Sequence, residues 1–120
     1  KSIAAHVGKS VALREMRRFD PAIQYADAAV RLAPTSALPL VAAALARDYK
    51  GDAAGAEAYY KKAVEANPNH PAALYNYGLF LEEKDRAAEA KPLYERYVEH
   101  APAFHPAHAD VSRRLAKLTR

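Results

Sequence analysis

A spacing of 34 residues governs this chain. Shifted by that amount the sequence superposes on itself in three blocks, 3–36, 37–70 and 71–104, with a remnant at 105–120. Pro34, Pro68 and Pro102 form one column, and Ala22, Ala56 and Ala90 another. Four residues on stand Ala26, Tyr60 and Tyr94, then Ala29, Ala63 and Tyr97. Small residues recur earlier in each block, at Ser10, Ala44 and Gly78. Self-similarity at such a period marks stacked supersecondary units, none of which buries its apolar face alone.

Each block reads as two helices. The first helices are expected at 3–16, 37–50 and 71–84, the second at 20–33, 54–67 and 88–101. Alanine, the best helix former, supplies 29 of the 120 residues. Apolar residues recur at three- and four-residue steps in the second helices, as in Ala56, Tyr60, Ala63 and Val64. Asp20-Pro21 reads as an N-cap with proline at the first helical position, and Gly51-Asp52 as the close of a helix pair. Pro92, inside a second helix, is expected to remove one backbone bond or bend the first turn.

Here the chain resembles the tetratricopeptide repeat family. The likeness rests on Gly51-Asp52, on Ala63-Val64-Glu65-Ala66-Asn67-Pro68-Asn69 and on Leu74-Tyr75-Asn76-Tyr77-Gly78. It implies one all-α domain over 1–120, a right-handed α-solenoid of antiparallel helix pairs, with three repeats and a C-terminal capping helix over 105–118. In that reading Gly78, Ala44 and Ser10 let the paired helices approach closely, and Tyr60 and Tyr94 fill the space between repeats. Tyr97 stands where the family prefers alanine, so packing after the third repeat is expected to be looser or rearranged. His6 replaces a large apolar residue, which makes the first block an edge repeat or one whose neighbour was cut away. The absent initiating Met suits a mature form or an excised fragment.

Several function classes fall away. With no cysteine there is no disulfide, thiolate metal site or cysteine nucleophile, and the compartment stays open. No apolar run approaches the ~20 residues of a membrane helix. Gly8-Lys9-Ser10 imitates the end of a P-loop, but Ile3 stands where the first glycine belongs and no strand precedes it. His100, His105, His108 and Asp110 cluster in sequence, yet read as solvated or capping residues rather than as metal ligands. No catalytic constellation emerges, so neither enzymatic activity nor a cofactor is expected.

The resemblance places binding on the concave face, lined by the first helix of each repeat. The residues expected there are Val7, Val11 and Arg14; Leu38, Val41, Leu45, Asp48 and Tyr49; and Tyr75, Asn76, Leu79, Glu82 and Glu83. Members that hold chaperone tails grip two carboxylates with Lys, Arg and Asn. Only Asn76 fits that pattern here, since Val7, Val11, Ala42 and Ala72 occupy the other places and none pairs with a carboxylate. An apolar groove suits a partner's amphipathic helix or an apolar-anchored peptide. The alternative is a structural segment of a longer array that self-associates through this face. Formal charge runs +3, 0, −2 and +3 over 1–36, 37–70, 71–104 and 105–120, which gives no continuous nucleic-acid track. The basic ends, Arg14, Arg17 and Arg18 and then Arg113, Arg114, Lys117 and Arg120, read as solubilising charge. An acidic lip of Asp48, Glu82 and Glu83 favours a partner carrying Lys or Arg.

Overall fold

In a computed structural model the described residues, 2–119, form seven α-helices and no strand. Lys1 and Arg120, the last residue of the basic tail, lie outside the described residues. The helices are α1 (Ile3–Glu15), α2 (Phe19–Leu32), α3 (Ala37–Lys50), α4 (Ala53–Ala66), α5 (Pro71–Glu83), α6 (Ala87–His100) and α7 (His108–Leu118). They pair as α1 with α2, α3 with α4 and α5 with α6, the all-α helical-repeat arrangement the 34-residue period implied.

The turn inside each pair repeats in atomic detail. Leu13 O accepts from Arg18 N at 2.8 Å, Arg47 O from Asp52 N at 2.9 Å, and Leu81 O from Arg86 N at 2.9 Å. This closure needs a left-handed residue just before the donor. Gly51 supplies it at φ 101°, but Arg17 and Asp85 do so at φ 61° and 59°. Only the glycine announced the turn in the sequence. Because Arg18 closes α1, it also begins α2, so Asp20 lies in the first helical turn instead of capping it. Its carboxylate pairs with Lys50 at 2.7 Å. The proline column acts through its neighbours. Ala33, Asn67 and Ala101 each precede a proline and each end a helix outside the helical conformation, Asn67 and Ala101 in extended backbone, because the next residue's ring disfavours the helical conformation.

The contacts gather into two compact units, divided between Asn67 and Pro68. Unit 1 holds α1–α4. Its core joins Val7, Ala26, Ala29, Ala42 and Ala43, flanked by Val11, Val30 and Tyr59. A second cluster joins Leu13, Ala22 and Ala46. Ser10 is buried and donates its hydroxyl to Ala22 O at 2.8 Å, so the small-residue column lets α1 lie close on α2. Gly8-Lys9-Ser10 is helical throughout.

Unit 2 holds α5–α7. Gly78 is a close approach of α5 to α6, for a Cβ there would overlap the Tyr94 ring. Tyr94 therefore packs on the helix of its own repeat, and its hydroxyl donates to Glu82 at 2.5 Å. α6 continues through Pro92 as one helix, although that residue has no N–H to give. Tyr97, fully buried, reshapes the connection from α6 to α7. The links 33–36 and 67–70 join the repeats elsewhere, whereas 101–107 separates α6 from α7. His105 and His108 both lie against the Tyr97 ring, at 5.4 and 5.6 Å between centres, and the hydroxyl bonds His105 Nδ1. Two successive turns, closed by His105 N to Pro102 O and by His108 N to His105 O, delay α7 to His108. This is the rearrangement that a bulky residue in an alanine column demands.

Candidate functional site

The expected face divides between the units, and the residues behave differently in each. In unit 1, Val7 is a core residue, 8% exposed and packed against the alanines of α2 and α3. Val41 is buried as well. Both support a surface from behind and do not present one, because helix approach over small alanines leaves no room for them outside. Val11 and Leu45 are half-buried. Leu38 and Tyr49 are exposed, at 47% and 51%. On α3 the spacing of Leu38, Leu45 and Tyr49 sets them on one stripe. From α1 the Arg14 guanidinium lies over the Tyr49 ring, 4.9 Å from its centre. Asp48 is half-buried. Unit 1 thus offers an apolar strip with an aromatic–cation corner at one end.

In unit 2 the face is engaged from within. The Tyr75 hydroxyl donates to Asp110 at 2.6 Å. Arg114 donates to Asp110 at 2.9 Å and to Glu82 at 3.2 Å, and Arg113 also pairs with Asp110. Glu82 thus accepts from both Tyr94 and Arg114, so its charge is neutralised inside the unit. Asn76 turns its amide onto Ala72 O, at 2.8 Å. Leu79 is half-buried, and Glu83 is exposed. The residues missed as contacts of this face are Asp110 and Arg114. Their spacing of one helical turn was the available signal, read in the sequence as part of a histidine cluster and part of a basic tail.

This network shifts its members. Burial and the Asp110 hydrogen bond push the Tyr75 hydroxyl up to about 12. Burial, then the bond to Glu82, pushes Tyr94 far above its ordinary range. At Asp110 burial pushes upward, but hydrogen bonds from Tyr75 and Arg114 and the arginine charges prevail and hold the carboxyl below its usual value. His70 caps α5, its Nδ1 accepting from Ala73 N at 3.3 Å. Burial, then the nearness of His105, lowers its pKa. Among the described residues no three His, Cys, Asp or Glu side chains converge as metal ligands, and no helix is long and apolar enough to cross a membrane.

The comparisons with known proteins bear on the fold. No curated protein sequence matches the chain. Among solved structures, the Yersinia enterocolitica type III secretion translocator chaperone SycD superposes with a TM-score of 0.83 at 16% identity, covering 98% of this chain and 91% of its own. Pseudomonas aeruginosa pilF gives 0.88 at 21% identity, covering 98% of this chain, which spans 52% of that protein's chain. The first tetratricopeptide domain of Spaghetti (RPAP3), bound to the HSP90 peptide SRMEEVD, gives 0.80 at 21% identity, with 98% and 96% covered. At such identities the likeness is one of fold. The family model described as "Tetratricopeptide repeat" matches residues 49–115, and a second model of that description matches 3–36, so the first block carries the pattern despite His6. The chain belongs to the tetratricopeptide repeat family.

Proposed function

We propose that this chain is a non-catalytic protein-interaction module. It receives a partner's amphipathic helix or apolar-anchored peptide on the unit 1 strip of Val11, Leu38, Leu45 and Tyr49. The observation that carries the reading is the exposure of Leu38 and Tyr49 on one stripe of α3, directly outside a core already complete with Val7, Ala42 and Ala43. Large apolar side chains lined up outside a finished core serve an interface more often than stability. Two neighbours in fold support it: one is SycD in complex with a peptide of the translocator YopD, the other the domain bound to the HSP90 peptide.

The test is affinity capture from the native host with the intact chain, with Leu38→Glu and with Met16→Glu. Met16 is exposed at 62% in the α1–α2 turn, away from the strip. The reading expects one protein to be lost by Leu38→Glu and kept by Met16→Glu, with helicity equal in all three. Equal capture by Leu38→Glu sinks it. A second reading, assembly of copies or of a longer array, draws on Phe104, exposed at 88% in the α6–α7 link. It expects a solution mass that rises above 13.1 kDa with concentration and falls back in Phe104→Ser. A constant monomer mass removes it.

A further inference from the structure

Among the described residues the half-buried arginines are almost all satisfied, and the exception lies beside the strip. Arg47 shows the complete arrangement. Its guanidinium sits 4.2 Å over the Tyr59 ring and donates to both oxygens of Asp27, at 3.0 and 2.8 Å. Arg114 has Asp110 and Glu82, Arg86 has Glu89, and Arg96 has Pro68 O. Arg14 has the aromatic half alone. Its guanidinium stands over Tyr49, and its Nε is buried without a hydrogen-bond partner. A cation stacked on a ring and stripped of part of its water gains strongly from a carboxylate. Partial burial also makes that pair stronger than one formed in open solvent.

We infer that the segment bound by the unit 1 strip carries a carboxylate side chain, which completes Arg14 as Asp27 completes Arg47. The inference rests on the reading of the strip as a docking face. Helical rise sets the pattern the partner must match. Anchors over Leu38 and Leu45 stand about 10 Å apart, and the acid falls about 6 Å further on, at the Tyr49 level. This site is distinct from the tail-gripping positions of the family, which Val7, Val11, Ala42 and Ala72 leave without charge. It reverses the sign expected from the acidic lip, whose Glu82 is occupied by Tyr94 and Arg114.

The test pans random dodecapeptides, displayed on phage, against the intact chain. Leu38→Glu and Arg14→Gln are tested in parallel after their helicity and melting temperature are matched to the parent. The expected binders carry Asp or Glu one turn past an apolar pair. They lose all measurable binding to Leu38→Glu and about tenfold to Arg14→Gln. Changing the peptide's Glu to Gln costs about tenfold against the parent and nothing against Arg14→Gln. Binders that need Leu38 but carry no acid, and hold Arg14→Gln equally well, overturn the inference while the docking face stands. A library that yields no binder, or binders indifferent to Leu38→Glu, overturns both.

Discussion

In unit 1 a first helix, α3, lies on the pair before it through alanines, with Val7 packed against Ala42 and Ala43. In unit 2, α7 comes after α5 and α6 in the matching register. Tyr75 stands two repeat lengths after Val7, and Asp110 two after Ala42. There the contact is a hydrogen bond from phenol to carboxylate, extended by Arg114 to Glu82. One backbone position thus carries two kinds of adhesion. The alanine contact is short-ranged and indifferent to pH and salt, whereas the polar one depends on the charge of each member. Val111 and Ala107 are the only buried apolar residues that α7 and the end of its link contribute among the described residues, so the polar bonds decide how firmly it sits.

The comparison breaks most decisively at Tyr97. Truncating this fully buried ring to Ala removes the platform for His105 and His108 and is expected to cost about 3–5 kcal/mol in denaturant unfolding. Ala63→Gly, in the same column of unit 1, should cost only about 1 kcal/mol. Near-equal losses would show that the ring holds nothing in place. Gly78→Ala comes next. Its Cβ meets the buried Tyr94 ring, and a loss of about 1–3 kcal/mol is expected, although Ala44 and Ser10 bear a Cβ at this position in unit 1. A neutral result would mean that Tyr94 yields freely.

Asp110→Asn is a smaller change, about 1 kcal/mol for a partly exposed network. Its main value lies in pH. The Asp110 pKa is depressed by folding, so its contribution is full above the ordinary carboxylate value and fades as pH falls below that value. His70 is depressed too, so its share fades as pH falls below the ordinary imidazole range. Tyr75 is raised, so its share holds below the ordinary phenol value and disappears as pH climbs toward about 12. Amide protection in α7 is therefore expected to drop at both extremes before that of α3. Parallel loss in the two helices would contradict the contrast between the units. The smallest effect treats the units alike. Arg17→Gly and Asp85→Gly relieve a left-handed backbone and should each stabilise by about 0.5 kcal/mol, while Gly51→Ala should cost about 1 kcal/mol. Destabilisation by either glycine would mean that the side chain makes contacts that outweigh the strain.

Much of the fold was legible because a period of 34 is a long-range constraint written in local residues. The prolines predicted the helix ends through a purely local steric rule, and the small-residue column predicted the close approach realised at Ser10 and Gly78. The site was less legible. Periodicity places Val7 and Leu38 on the first helices, but whether a side chain is covered depends on the neighbouring helix, which no local pattern encodes. Glu82 read as a free acidic lip because its partners, Tyr94 and Arg114, lie 12 and 32 residues away. Arg17 and Asp85 hid two of the three identical turns, since their left-handed backbone is imposed by the Arg18 and Arg86 closures and not by their own preference.

The sequence alone determined the number of helices, their pairing and the ends of α1–α6 to within about one residue, because these follow from propensity, proline sterics and a repeat length. Only the tertiary structure decided which residues of the expected face are core, which are engaged by α7 and which stand open. It also set the Arg14 guanidinium over the Tyr49 ring and left its Nε buried without a hydrogen-bond partner. Burial and charge pairing are properties of neighbours in space, and space is what the linear pattern does not contain.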